Sequence, residues 1–121
     1  MKNKHVFLNL FLISFPFTAL ASIVHRVTGV FLFLSLPVIL YFFKLSLISA
    51  SSFEVATVLY SSFYIKTFVF FLFFSFIYHM FFGIKHIILD LGFLQDRSIS
   101  TSISIFFAVL SVLTVILGVL I

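Results

Sequence analysis

Three long apolar stretches divide the chain. The first runs without charge from Val27 to Phe43 and extends backward through Thr18–Val24; the second runs from Thr67 to Ile84 and continues past Lys85 to Leu89; the third runs from Ser98 to Ile121. Each reaches or approaches the ~20 residues that a helix needs to cross ~30 Å of hydrocarbon. None alternates polar and apolar positions, which argues against the strands of a membrane β-barrel. The pattern predicts an all-α membrane protein with three transmembrane helices, about 18–46, about 62–90 and about 99–121, forming one membrane-anchor domain over residues 1–121. Pro37 is expected to kink the first helix. The connections, Lys44–Lys66 and Asp90–Arg97, read as loops, with Glu54 and Lys66 as solvated loop residues.

Composition agrees with this layout. The chain has 121 residues, 64% hydrophobic and 8% charged, so a water-soluble fold would leave much apolar surface wet. It has no Cys, which excludes disulfides, zinc–thiolate centres, iron–sulfur ligation and Cys nucleophiles on this chain. The net charge of +4 comes from single basic residues at the ends of apolar runs. No basic stripe with interleaved aromatics exists, so nucleic acid is set aside as a partner and the lipid bilayer takes its place.

Charge also sets an orientation. Lys2, Lys4, Arg26, Lys85 and Arg97 fall on one side of a three-helix layout, and Lys44 and Lys66 on the other. The positive-inside rule then puts the N-terminus on the cytoplasmic or matrix side and the C-terminus opposite. A competing pattern is present. Lys2 and Lys4, the apolar Val6–Phe17 and the small residues Ala19-Leu20-Ala21 imitate a cleavable leader that would leave Ser22 as the new N-terminus. Sequencing the N-terminus of the mature chain decides between them.

Polar groups inside apolar runs are costly, so each asks for a reason. The first cluster is Ser22-Ile-Val-His25-Arg26-Val-Thr28-Gly29. Ser22, Arg26 and Gly29 share a helix face, with His25 one position round. A hydroxyl and a guanidinium one turn apart can hydrogen-bond a carbonyl oxygen, and Arg is a permanent donor. The plainer reading is an Arg26 that snorkels to lipid phosphates and a His25 resting at the interface.

The second cluster spans Tyr78 to Asp90. His79, Gly83, His86 and Asp90 fall at i, i+4, i+7 and i+11, one continuous stripe. A neutral imidazole is the usual membrane-embedded ligand for haem iron. Gly83 removes a side chain where a flat macrocycle would approach the backbone. His86, two turns or ~10 Å from His79, can reach a haem propionate, and Lys85 or His25 can add charge there. The plainer reading is a His79 bonded to another helix and a Gly83 that suits close helix contact. By spacing alone both readings stand. Helix one starts and helix two ends on the same side, so His25, Arg26, His79 and His86 are expected to converge at one depth. Only one His is deeply placed, so a six-coordinate b-type haem would need its other ligand from a second chain. Asp90 is expected to cap or to pair with Lys85 or Arg26. The third helix carries only Ser, Thr and Gly118 and is assigned no chemistry.

At these clusters the sequence resembles the cytochrome b subunit of succinate dehydrogenase. The matching segments are Phe15 to Gly29, with the pattern Ser-x-x-His-Arg-x-Ser/Thr-Gly, and Tyr78 to Gly92, with His-x-x-x-Gly-x-Arg/Lys-His-x-x-x-Asp. The resemblance implies that His79 is the axial ligand of haem b and that His25 and His86, with Gly83, form the haem propionate environment. It implies that Ser22 and Arg26 bind ubiquinone. It also implies three protein partners: a second small membrane-anchor subunit that supplies the other axial His, an iron–sulfur subunit and a flavoprotein subunit where succinate is oxidised. The chain would then serve the tricarboxylic acid cycle and respiratory electron transfer in a bacterial inner membrane, or alternatively a mitochondrial one, with no catalytic activity of its own. Two departures stand out. Asn9–Ser14 replaces a basic Arg-Pro stretch common before helix one, and Lys85 stands where Arg is common. Competing functions are a non-redox anchor in which the histidines only fill space, and a quinol:fumarate reductase that works in reverse.

Overall fold

The computed structural model describes residues 15–93 and 96–120. Four helices follow one another: α1 (Phe17–Ile48), α2 (Ala50–Ser61), α3 (Phe63–Asp90) and α4 (Arg97–Leu120). Three of them, α1, α3 and α4, are long and apolar enough to cross a membrane. Lys2, Lys4 and the Val6–Ser14 part of the leader-like segment lie outside the described residues, as does the neighbourhood of Ile121.

The expected Lys44–Lys66 loop is corrected. Lys44 belongs to α1 and Lys66 to the first turn of α3, and Glu54 sits on the separate helix α2. Ser49 starts α2 in an extended conformation, and its hydroxyl accepts from the Ser52 N–H at 3.1 Å. The Ser52 hydroxyl in turn accepts from the Ser49 N–H at 2.9 Å, completing a reciprocal capping box. A single extended residue, Ser62, links α2 to α3. α1 continues through Pro37 as one helix.

The other ends have equally local causes. α3 stops in a Schellman turn: the Phe93 N–H bonds the Ile88 carbonyl at 3.2 Å and the Gly92 N–H bonds the Leu89 carbonyl at 3.0 Å. That turn needs a positive φ, and Gly92 supplies it at 86°. Asp96 caps α4, its carboxylate accepting from the Ser98 N–H at 2.7 Å. The cap starts α4 at Arg97, two residues before the sequence expectation of 99.

α3 is the central element and touches α1, α2 and α4, while α1 and α4 also meet. The core gathers Ala21, Tyr78 and Phe82 with Val24, Phe74, Phe107 and Ala108 around them. Hydroxyls within the spans bond their own helix carbonyls, as Ser35 to Phe31 at 2.7 Å and Ser111 to Phe107 at 2.7 Å. Such back-bonding satisfies a hydroxyl where no water is present. Much of α1 faces outward, with Val27, Val30, Phe33, Leu34 and Leu40 all exposed. Hydrocarbon or another apolar helix accepts that surface; water does not.

Candidate functional site

α1 and α3 run antiparallel, so the first turns of α1 lie against the last turns of α3. Tyr78 spans the two, its hydroxyl donating to the Ala21 carbonyl at 3.2 Å. Beside that contact three histidines come together. The rings of His25 and His79 are stacked, 4.1 Å between centroids and 7° from parallel, and His86 lies tilted against His25 at 5.1 Å. The stripe His79–Gly83–His86 therefore faces α1 as its spacing predicts.

His79 is tied by its Nδ1 edge. Nδ1 lies 3.1 Å from the His25 backbone carbonyl, and a carbonyl only accepts, so Nδ1 carries the proton. In the neutral tautomer that this bond selects, Nε2 has its lone pair in the ring plane. Thr28, 5% exposed, reinforces the arrangement: its hydroxyl donates to the same carbonyl at 2.8 Å and lies 3.5 Å from Nδ1. The stacked His25 covers a face of the ring and not the edge that holds the lone pair. A backbone carbonyl fixing one nitrogen so that the other can bind a metal is the common arrangement at histidine ligands.

The two glycines play different parts. A Cβ on Gly29 would fall 2.8 Å from Cε1 of His79. Only a residue without a side chain lets α1 pass this close to the imidazole. A Cβ on Gly83 would meet Nε2 of His25 at 3.7 Å, an ordinary contact. That Nε2 is buried and has no hydrogen-bond partner among the described residues. An orphaned buried nitrogen costs ~1–3 kcal/mol, which a polar group reaching it would offset. Among the described residues no three His, Cys, Asp or Glu side chains converge as a metal-ion site.

Gly29→Ala is accordingly expected to push the His79 ring from its place at an overpacking cost of ~1–3 kcal/mol. The melting temperature of the detergent-solubilised protein should fall correspondingly in Gly29→Ala. A melting temperature equal to wild type would show that the close approach is dispensable.

Arg26 and Ser22 sit on the outer flank of the same level. Arg26 is exposed on α1 and stands at the start of an outward apolar face formed by Val27, Val30, Phe31 and Leu34 of the same helix. Ser22, one turn earlier, is half-buried. The expected convergence thus joins the three histidines, while Arg26 projects outward beside them. Lys85 departs from expectation. It is buried, turned toward α4, and its ammonium donates to the Ser104 hydroxyl instead of pairing with Asp90 or facing the histidines. Sequence reasoning missed Gly29 as the neighbour of His79 and Thr28 as the anchor of its carbonyl. Both lie inside the Ser22–Gly29 block, but which side chain they meet depends on helix pairing. It also gave α4 no polar role, although Ser104 is fully buried.

Comparison with known proteins agrees with this architecture. Residues 1–118 match the family model described as the succinate dehydrogenase/fumarate reductase transmembrane subunit. The chain is 35% identical over 95 residues to the succinate dehydrogenase cytochrome b556 subunit of Coxiella burnetii, covering 78% of this chain and 76% of that relative. This three-span chain, with its histidines gathered where α1 meets α3, belongs to the family of succinate dehydrogenase/fumarate reductase transmembrane subunits.

Proposed function

We propose that this membrane-anchor cytochrome b subunit holds one haem b through His79 and forms part of a ubiquinone-reduction site with Ser22 and Arg26. The observation that carries the reading is the Nδ1 bond of His79 to the His25 carbonyl, which leaves Nε2 free for iron. The donor set fits the cofactor in two further ways. Gly83 brings the α3 backbone into contact with His25, and the His25 Nε2, unpartnered among the described residues, suits a propionate oxygen, with His86 next to it. Bound there, the haem would supply a one-electron carrier inside the bilayer.

Among the described residues the chain offers one such imidazole edge. His25 is stacked on His79 and cannot ligate the same iron from the opposite side. The second axial His therefore comes from another small membrane subunit, whose natural place is the exposed apolar side of α1. Chain expressed alone is expected to be haem-free, and co-expression with the second anchor subunit to restore a b-type band. A full haem complement on the chain alone would contradict the shared ligation.

Arg26 beside the outward apolar face of α1 suits a quinone, a carbonyl head on an apolar tail. The guanidinium would donate to one carbonyl oxygen and stabilise negative charge as electrons arrive, with the Ser22 hydroxyl as a second donor. Those electrons come from an iron–sulfur subunit fed by a flavoprotein that oxidises succinate, and this chain has no catalytic activity alone. The count of Lys2, Lys4, Arg26, Lys85 and Arg97 against Lys44 and Lys66 supports a cytoplasmic or matrix side for the N-terminus, in a bacterial inner membrane or alternatively a mitochondrial one. The succinate dehydrogenase name of the Coxiella relative favours succinate oxidation over the reverse reaction.

A further inference from the structure

A second network runs through the core on the side of α3 next to the one that carries the histidines. Lys85, 3% exposed, donates to the Ser104 hydroxyl of α4, and Ser104 donates to the Ser100 carbonyl at 2.8 Å. The ammonium lies 5.9 Å from the ring centroid of Phe82, which is fully buried. Phe82 is stacked on Tyr78 with centroids 4.3 Å apart, and Tyr78 donates to the Ala21 carbonyl of α1. One continuous path thus links α4 to α1 through α3: Ser100, Ser104, Lys85, Phe82, Tyr78, Ala21.

Three members on α1 and α3 are immediate neighbours of residues of the proposed site. Ala21 precedes Ser22, Tyr78 precedes His79, and Lys85 precedes His86. Consecutive helical positions are about 100° apart, so a fastening on one side of α3 fixes the azimuth of the next side. A buried ammonium in a membrane-spanning helix is expensive, and an apolar side chain of the same length would fill the space more cheaply. Its retention is accounted for if its hydrogen bond sets geometry.

We infer that Lys85 is a positioning residue: its bond to Ser104, carried through Phe82 and Tyr78 to α1, sets the rotation of α3 that aims His79 at the haem. The inference rests on the haem reading of His79. Ser104→Ala and Tyr78→Phe decide it, because both keep every charge and both keep the Phe82–Tyr78 stack. In the intact complex both variants are expected to retain haem within about twofold of wild type, yet to shift the haem's low-temperature electron paramagnetic resonance g values. Lys85→Met is expected to shift them further. A wild-type signal in either Ser104→Ala or Tyr78→Phe would overturn the inference. Failure of the haem reading itself is distinguishable, since His79→Ala would then keep its b-type band.

Discussion

Replacing His79 with alanine is expected to strip the complex of haem b. Among the described residues this imidazole is the one ring whose Nε2 is left free by an Nδ1 bond to a backbone carbonyl, at 3.1 Å. Among those residues no substitute stands ready, because His25 is held face to face with the lost ring and its Nε2 points toward Gly83. Mutating the outer hydrogen-bond partners of a metal ligand costs ~10–100-fold in affinity, and deleting the ligand itself should exceed that. The loss should extend to assembly. A cofactor gripped by two subunits contributes its binding free energy to their association. The checks are the reduced-minus-oxidised spectrum of membranes and the amount of intact complex recovered in mild detergent. Both should drop together; a complex of normal yield with a normal b-type band would reject His79 as ligand.

Arg26→Ala is expected to separate quinone chemistry from everything else. Arg26 lies on the outside of α1 and its side chain is in none of the hydrogen bonds that hold His79, so its removal should leave haem content unchanged. A charge-assisted hydrogen bond to a reacting oxygen contributes ~1.5–3 kcal/mol, or roughly 10–100-fold in rate. Succinate oxidation measured with an artificial acceptor should be as in wild type, while succinate–quinone turnover falls by that factor. Arg26→Lys should recover part of it, since Lys keeps the charge and loses the planar fork. Ser22→Ala should act in the same direction with a smaller effect. Equal loss with both acceptors would mean that the mutation damages docking of the soluble subunits instead.

The spans and the stripe were legible because both are periodic properties of single helices. Twenty-odd apolar residues announce a span, and His79, Gly83 and His86 at i, i+4 and i+7 must share a face whatever lies opposite. Their meeting with His25 followed from topology alone, as the start of α1 and the end of α3 lie on one side. Helix α2 was not legible. Its capping box uses Ser52 where Glu or Gln is the usual signal, and the serine run from Ser49 to Ser52 reads equally as a loop. Lys85 was misplaced for a different reason. A basic residue near the end of a span normally snorkels to the interface, and only the position of Ser104 on a neighbouring helix turns it inward. Gly29 against His79 and Thr28 against the His25 carbonyl are likewise facts of helix pairing, which no single-helix pattern encodes.

The most direct test of the central claim is the optical and redox titration of the haem in intact complex carrying His79→Met. If His79 Nε2 holds the iron, exchanging imidazole for a thioether must displace the reduced b-type band and raise the midpoint potential, or abolish the band outright. A band and a potential indistinguishable from wild type would contradict the account.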